Sequence, residues 1–357
     1  MGGVVDHGGV PPAPGRQESE EAAVRSRTTL SDVARVAGVS VATASRVLAD
    51  RGDFAPGTRL RVLGAAESLR YSRARTRQGR PVVRATSVDL VVGRVSSAWT
   101  DRAISGAWRA ASRHGVGLNL VSESTGDAEQ WAAQLARRRS GGAVFGLVQP
   151  LASELAELAR AHLPVVLLDP LSEPQADVAS VGAANWAGGY AAGRHLVERG
   201  AHRFVSVVAR PAYRFAAARA AGFAAAVAGE RPGAHLETLS TSWDGQGPVP
   251  GLTRMLRGGP GPTGVFASND HVALRCYPAV RAAGLTVGRD VLVVGFDDEP
   301  RAGTCSPPLT SVHQPVEAIA SGAVELLLAA VRGDDAPEHL RMELPVRLVP
   351  RASTGVV

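Results

Sequence analysis

The sequence predicts two structural classes in one chain. A small all-α helix-turn-helix unit comes first, and an α/β body of two subdomains with parallel sheets follows it. Three observations predict this. Residues Thr29 to Ala49 carry two short helical stripes separated by Gly38. From Ser87 onward, short apolar runs alternate with Ala-rich helical stretches, the pattern of parallel strands covered on both faces. The charge divides at the same place: residues 1–85 hold 14 Arg against 8 acidic residues, and residues 86–357 hold 25 of each. The net charge of +6 on the 357-residue chain therefore lies in its front quarter, the footprint of a nucleic-acid module on a neutral body.

Composition removes several other classes. With 45% hydrophobic and 20% charged residues, a largely disordered chain is excluded. No apolar run approaches the roughly 18–20 residues of a membrane span. The opening MGGVVDHGGVPPAPGRQESEE lacks the basic start and long apolar stretch of a secretory signal. Cys276 and Cys305 cannot form a disulfide framework and suit a reducing cytosol, so a cytoplasmic, nucleoid-associated protein is expected. Enzyme signals are missing: there is no G-x-x-x-x-G-K-[ST] run, no Lys at all and no G-x-S-x-G elbow. The nine His show no H-E-x-x-H or Cys/His ligand spacing, so no catalytic residue, metal or cofactor is assigned.

Residues 1–26 are Gly, Pro, Ala and acidic residues without periodicity and read as a disordered leader. Residues 27–71 form the helical headpiece. Thr29 caps its first helix, with Asp32 near the positive helix end. Leu30, Val33, Ala34 and Ala37 make the apolar stripe, and Gly38 stops the helix. Ser40 caps a second helix, whose Val47 and Leu48, with Val39, close on the first. Val41, Ala42, Ser45 and Arg46 face outward, and Thr43 lies in the same first turn. In a helix-turn-helix these early residues meet base edges in the major groove, where an Arg pairs bidentately with guanine. A third helix, capped by Thr58, uses Val62, Ala65, Ala66 and Leu69. The alternative is a three-helix bundle with no nucleic-acid role. Residues 72–86, SRARTRQGRPVVRAT, are a basic hinge or linker.

Residues 87–357 are the body. Its apolar runs include 88–95, 116–122, 143–148, 164–169, 203–208, 263–268 and 290–296. Nine or ten such units exceed one ordinary sheet, hence two subdomains. Ligands of open α/β folds bind beyond the carboxyl ends of strands. That directs attention to Asp169, Asn269 and Asp297, to Arg219 on the helix after strand 203–208, and to Trp243 in a polar loop. A guanidinium facing a carboxylate clamps adjacent hydroxyls, and an aromatic face suits a sugar ring. The same pair also suits a purine or a carboxylate. Each residue has a structural reading beside this one: Asn269 and Asp270 as helix caps, Asp298 as a structural acid, Arg219 as a surface group, Trp243 as an anchor. His195, His271 and His313 are expected to satisfy local hydrogen bonds.

The run TTLSDVARVAGVSVATASRVL resembles the headpiece of the LacI/GalR (lactose repressor) family of bacterial transcriptional regulators. VVGFDDEP (293–300) followed by SPPLTSVHQP (306–315) resembles that family's effector-domain signature. The resemblance covers residues 28 to about 350. It implies a headpiece, a hinge and a dimerising, periplasmic-binding-protein-like body. The implied function is sequence-specific binding to a palindromic double-stranded operator, as a repressor controlled by a small effector, in the family commonly a sugar. Matched by motif, Asp169, Arg219, Asn269, Asp297 and Gln314 fall on ligand-contacting positions. Trp243 matches a sugar-stacking aromatic of some members, and Trp99 falls near an aromatic that packs on the ligand. Two features depart from the pattern. Tyr71-Ser72-Arg73-Ala74 replaces the start of the hinge helix, and Arg80, between Gly79 and Pro81, stands near the minor-groove Leu. Phe215 occupies a position often polar in sugar binders. The final ASTGVV (352–357) leads to an expectation of dimers rather than tetramers. The competing functions are a solute-binding protein and a sugar-acting α/β enzyme with an accessory DNA-binding segment.

Overall fold

A computed structural model describes residues 30–48, 54–69, 85–93, 97–122, 133–135, 137–138, 140–174, 178–257, 261–333 and 340–355. The chain divides into two compact units, one holding the described residues 30–69 and the other those from 85 onward.

The first unit contains α1 (Leu30–Ala37), α2 (Val41–Leu48) and α3 (Pro56–Ser68). The predicted stripes become one core: Val33, Ala34 and Ala37 meet Ala44 and Val47, and Val62, Ala65 and Ala66 close it. Val39, Leu48, Phe54 and Leu69 pack at its edge. Gly38 ends α1 with φ +63°, a backbone region that costs glycine nothing. Ser40 caps α2: its Oγ accepts the Thr43 N–H at 3.1 Å. The third helix differs from expectation. It starts at Pro56, so Thr58 lies inside its first turn, its N–H donating to the Ala55 carbonyl at 2.9 Å. Proline needs no N–H partner there and its fixed φ favours the helix start. Arg61 Nε–H of α3 donates to the Ala37 carbonyl at 3.3 Å, satisfying an orphan group at the end of α1.

The body contains two six-stranded sheets. The first joins β1 (Ser87–Val92), β2 (Gly117–Ser122), β3 (Ala143–Gly146), β4 (Val165–Leu168), β5 (Ala179–Ala183) and β11 (Arg341–Leu344) in the order β11-β5-β4-β3-β1-β2, all parallel. Helices α4 (Ala98–Arg113), α5 (Ala152–Arg160) and α11 (Val316–Arg332) belong to this lobe. The second sheet joins β6 (Arg203–Ala209), β7 (His235–Thr241), β8 (Thr263–Ala267), β9 (Val291–Asp297), β10 (Thr310–His313) and β12 (Arg347–Val349) in the order β12-β10-β9-β8-β6-β7. Here β12 is antiparallel to β10, so the sheets are parallel but for one short edge strand. The second lobe carries α6 (Asn185–Glu198), α7 (Arg214–Glu230), α8 (Leu252–Leu256), α9 (Asp270–Ala282) and α10 (Pro300–Thr304).

The chain therefore passes between lobes three times: from β5 to α6 at Ala184, from β10 to α11 at Gln314–Pro315, and from β11 to β12 at residues 345–346. Side chains at or near the carboxyl ends of strands on either side of these crossovers meet at one lobe boundary. Close helix packing sets its geometry. A Cβ on Gly189 would lie 2.0 Å from the Arg219 carbonyl oxygen, and one on Gly222 would lie 2.0 Å from that of Trp186. Only glycine at both positions lets α6 and α7 touch backbone to backbone, which brings Arg219 against the start of α6.

Candidate functional site: an interlobe cleft and a recognition helix

On the first unit, Val41, Ala42 and Arg46 are exposed, and Thr43 and Ser45 are half-buried. Ser40 is exposed and engaged in capping. The Arg46 guanidinium lies 5.6 Å from the centroid of the Phe54 ring, a cation–π contact that limits where the long side chain points. Thr29, Arg80 and all of the 72–86 linker except residues 85 and 86 lie outside the described residues, as does the 1–26 leader.

In the body, the residues after the strands take an unusual backbone. Leu147 after β3, Asp169 after β4, Arg210 after β6 and Asp297 at the end of β9 have φ of 53°, 50°, 47° and 101°. Each such non-glycine residue costs of order 1–3 kcal/mol, and such residues concentrate at functional sites. All four lie at carboxyl strand ends, where the topology places a ligand cleft.

Arg219 is the centre of a hydrogen-bonded network at the lobe boundary and only 2% exposed. Its Nε–H donates to Asn185 Oδ1 at 2.8 Å. Nη1 donates to the Ser268 carbonyl at 2.7 Å and to Asp297 Oδ1 at 3.2 Å. Nη2 donates to Gln314 Oε1 at 3.2 Å. The other end of the Gln314 amide donates to Asp169 Oδ2, and Asn185 Nδ2 donates to Asp169 Oδ1 at 3.4 Å. The chain of contacts thus runs from the first lobe (Asp169), through residues of two crossovers (Asn185, Gln314), to the second lobe (Arg219, Asp297). Beneath it the guanidinium lies 3.6 Å from the Phe296 ring centroid, and Phe215 flanks it at 5.2 Å. Phe215 meets Trp243 edge-on at 5.6 Å between ring centroids, and Leu147 and Leu171 of the first lobe pack on the same cluster.

Burial pushes the Asp297 carboxyl up to about 7, against the pull of the Arg219 guanidinium. Burial also raises Asp270 well above the carboxylate range, and the Asp297 charge adds to it. Asp270 accepts from Ser311 Oγ at 2.6 Å and from the Glu299 N–H at 2.7 Å, behind the cleft floor. Its role is structural, holding the β9–α10 turn that carries Asp297.

The structure brings Asp169, Arg219, Asp297 and Gln314 into one network, and it places Trp243 on the aromatic wall beside them. Asn269 is buried and its Oδ1 is committed to capping α9, accepting from the Val272 N–H at 2.8 Å. Trp99 is buried in the core of the first lobe, its ring 3.3 Å from where a Cβ on Gly146 would stand at the end of β3. Asp298 is structural as expected, pairing with Arg351 at 2.7 Å and His313 at 3.1 Å. His195 and His271 meet Thr354 Oγ1 and the Gly245 carbonyl. Sequence reasoning missed Asn185, Phe296 and Arg102. Asn185 had a signal, since a polar residue follows the small-residue strand ASVGA at a helix start. Arg102 had none, because its partners are 195, 212 and 215 residues away. Among the described residues, no group of three or more His, Cys, Asp or Glu could hold a metal ion, and no helix is long and apolar enough to cross a membrane.

A two-lobed α/β body that follows a helix-turn-helix unit in the sequence has known counterparts. Residues 29–74 match the family described as bacterial regulatory proteins, lacI family, and residues 194–354 match the periplasmic binding protein-like domain. The HTH-type transcriptional repressor PurR of Salmonella paratyphi B is 31% identical over 340 residues, covering 92% of this chain and 97% of that protein. The chain belongs to the lacI family. Among solved structures, the transcriptional regulator CelR in complex with cellobiose is 27% identical, with a TM-score of 0.66 over 92% of this chain and all of that one. The Lac repressor bound to ONPG in its repressed state is 25% identical, with a TM-score of 0.65 over 92% of this chain and 99% of that one. This lacI-family protein is accordingly a DNA-binding transcriptional regulator with a periplasmic-binding-protein-like body.

Proposed function

We propose that the protein is a homodimeric repressor whose operator affinity is set by a small polyhydroxylated effector, a sugar, bound between the two lobes. One observation carries the reading. Arg219, Asp297, Asp169, Gln314 and Asn185 form a single hydrogen-bonded set that spans both lobes and two crossovers. These groups now satisfy one another, and adjacent hydroxyls satisfy the same donors and acceptors in pairs. The Phe215–Trp243 wall supplies the apolar face that a sugar ring's C–H surface needs. The cellobiose held by the CelR relative supports the sugar assignment, and the PurR relative supports repression. Trp99 and Asn269 complete the site, Asn269 through its remaining amide N–H groups.

The division of labour follows: residues 1–26 as leader, 27–71 as headpiece, 72–86 as hinge and 87–357 as the effector and dimerisation body. Ser40, Val41, Ala42, Thr43, Ser45 and Arg46 meet the operator, with Thr29 at the backbone and Arg80 in the minor groove. Two headpieces on a two-fold dimer call for a palindromic operator. The effector acts through its different affinity for the lobe arrangements that permit and forbid DNA binding. The protein works in the cytoplasm and performs no catalysis.

The experiment is operator selection from genomic fragments with the purified full chain, followed by release assays with cellobiose, ribose and related sugars. Arg219→Gln is expected to abolish release while operator affinity stays within about twofold, since the headpiece is untouched. An Arg219→Gln protein that responds to the same sugar as the native one refutes the site.

A further inference from the structure

Arg102 lies on α4, in the first lobe, and its guanidinium makes four directed contacts. Nε and Nη2 donate to Glu317 Oε1 and Oε2, each at 3.0 Å, a two-point pairing with α11 of the same lobe. The second N–H of Nη2 donates to the Gln314 carbonyl at 2.8 Å, in the crossover. Nη1 donates to the Asp297 carbonyl at 3.1 Å, at the end of β9 in the second lobe. These two carbonyls belong to the residues whose side chains hold Arg219. Asp297 has φ 101°, a backbone that needs outside support. The approach depends on packing: a Cβ on Gly106, one helical turn after Arg102, would lie 2.2 Å from the Glu317 carbonyl oxygen. Glycine at 106 lets α4 and α11 touch, which puts Arg102 within reach of the crossover.

A surface ion pair alone is worth little. Here Glu317 does something else: it fixes the fork so that its remaining N–H groups face the two carbonyls. Arginine suits this task because its planar donors are set at fixed angles, whereas a Lys ammonium presents three donors from one nitrogen.

We propose that Arg102 is a positioning residue of the effector cleft: anchored on Glu317, it holds the Asp297 and Gln314 backbones across the lobe boundary, and so orients two of the three side chains that grip Arg219. The proposal rests on the reading of the cleft as an effector site, and its test needs neither DNA nor a ligand, so the two fail separately.

The test is hydrogen–deuterium exchange of the full-length protein. The reporter amides are Asp298, bonded to Ser311 Oγ; Glu299, bonded to Asp270 Oδ2; and Val316, bonded to the Gln314 carbonyl. Arg102→Gln is expected to speed their exchange about tenfold, while amides of β1 stay within about twofold of the native rate. Two milder variants separate positioning from simple charge pairing. Arg102→Lys keeps the charge beside Glu317, and the double variant Arg102→Glu with Glu317→Arg restores an ion pair in reverse. Neither presents a fork to both carbonyls, so both are expected to exchange as fast as Arg102→Gln. Native-like protection in any of the three variants overturns the proposal. So does a uniform loss of protection that includes β1, because that reports general destabilisation of the lobe.

Discussion

Replacing Asp297 by Asn tests whether the buried Arg219–Asp297 contact behaves as an ion pair or as a carboxyl held near neutrality. The two side chains are 2% and 8% exposed and stand 3.2 Å apart. Breaking an ordinary buried ion pair by removing one partner costs about 3–5 kcal/mol. Asp297, however, is pushed by burial from the ordinary carboxylate range up to about 7. A carboxyl raised on folding stabilises the fold fully below its unfolded value near 4, and that contribution is lost as pH rises towards 7. For a rise to about 7, the loss between pH 5.5 and pH 8 is about 2 kcal/mol, with the remainder already lost below pH 5.5. Asn keeps an oxygen for the Arg219 Nη1 donor and has no charge to bury. The variant should therefore gain about 2 kcal/mol relative to the native protein between pH 5.5 and pH 8. Asp270 is raised as well, but it is present in both proteins, so the difference isolates Asp297 and its coupling to that neighbour. The assay is urea unfolding of the body of the full chain at both pH values, followed by tryptophan fluorescence. A variant that instead loses about 3 kcal/mol or more at pH 8, with no pH-dependent gain, refutes the reasoning.

Other expectations concern the headpiece and the helix contact. Arg46→Ala should lose about 1–3 kcal/mol of discrimination at one base pair per half-site in competition binding, with little change at the others; an unaltered preference removes Arg46 from base readout. Ser40→Ala removes the cap of α2 and should destabilise the headpiece by about 1 kcal/mol, seen as a lower headpiece melting temperature with the body transition unmoved. Gly222→Ala forces a methyl to within 2.0 Å of the Trp186 carbonyl and should cost about 1–3 kcal/mol or more in body stability, measured by urea unfolding; a neutral result would mean that α6 and α7 do not touch as described.

Much of the fold was legible because the signals were local. The helical stripes of residues 30–48 and 62–69 and the apolar strands 88–92, 143–146, 165–168, 203–209 and 291–297 each state their period within one element. The strands that gave no such signal are those whose burial is satisfied by other means. β5 is built of small residues, ASVGA, all buried. β10, TSVH, is polar yet buried, because Ser311 Oγ donates to Asp270 and the Thr310 N–H donates to Ser353 Oγ. β7, at the sheet edge, mixes exposed and half-buried positions. The start of α3 was misplaced by three residues because Thr58 looked like a cap, whereas Ala55 stands in the cap position and Pro56 already favours the first turn.

The sequence by itself determined the helical headpiece with its outward Arg46, the positive charge confined to the front of the chain, the alternation of strands and helices, and the polar residues waiting at strand ends. Those follow from short-range periodicity, capping chemistry and composition, which need no knowledge of what lies elsewhere. Only the tertiary structure decided which of those polar groups meet. Arg219 finds partners 34, 78 and 95 residues away, and Arg102 reaches across 195 and 212. Those separations are closed by three crossovers and by glycine-to-backbone contacts between helices. Such contacts depend on the joint placement of distant elements, which no single stretch of sequence contains.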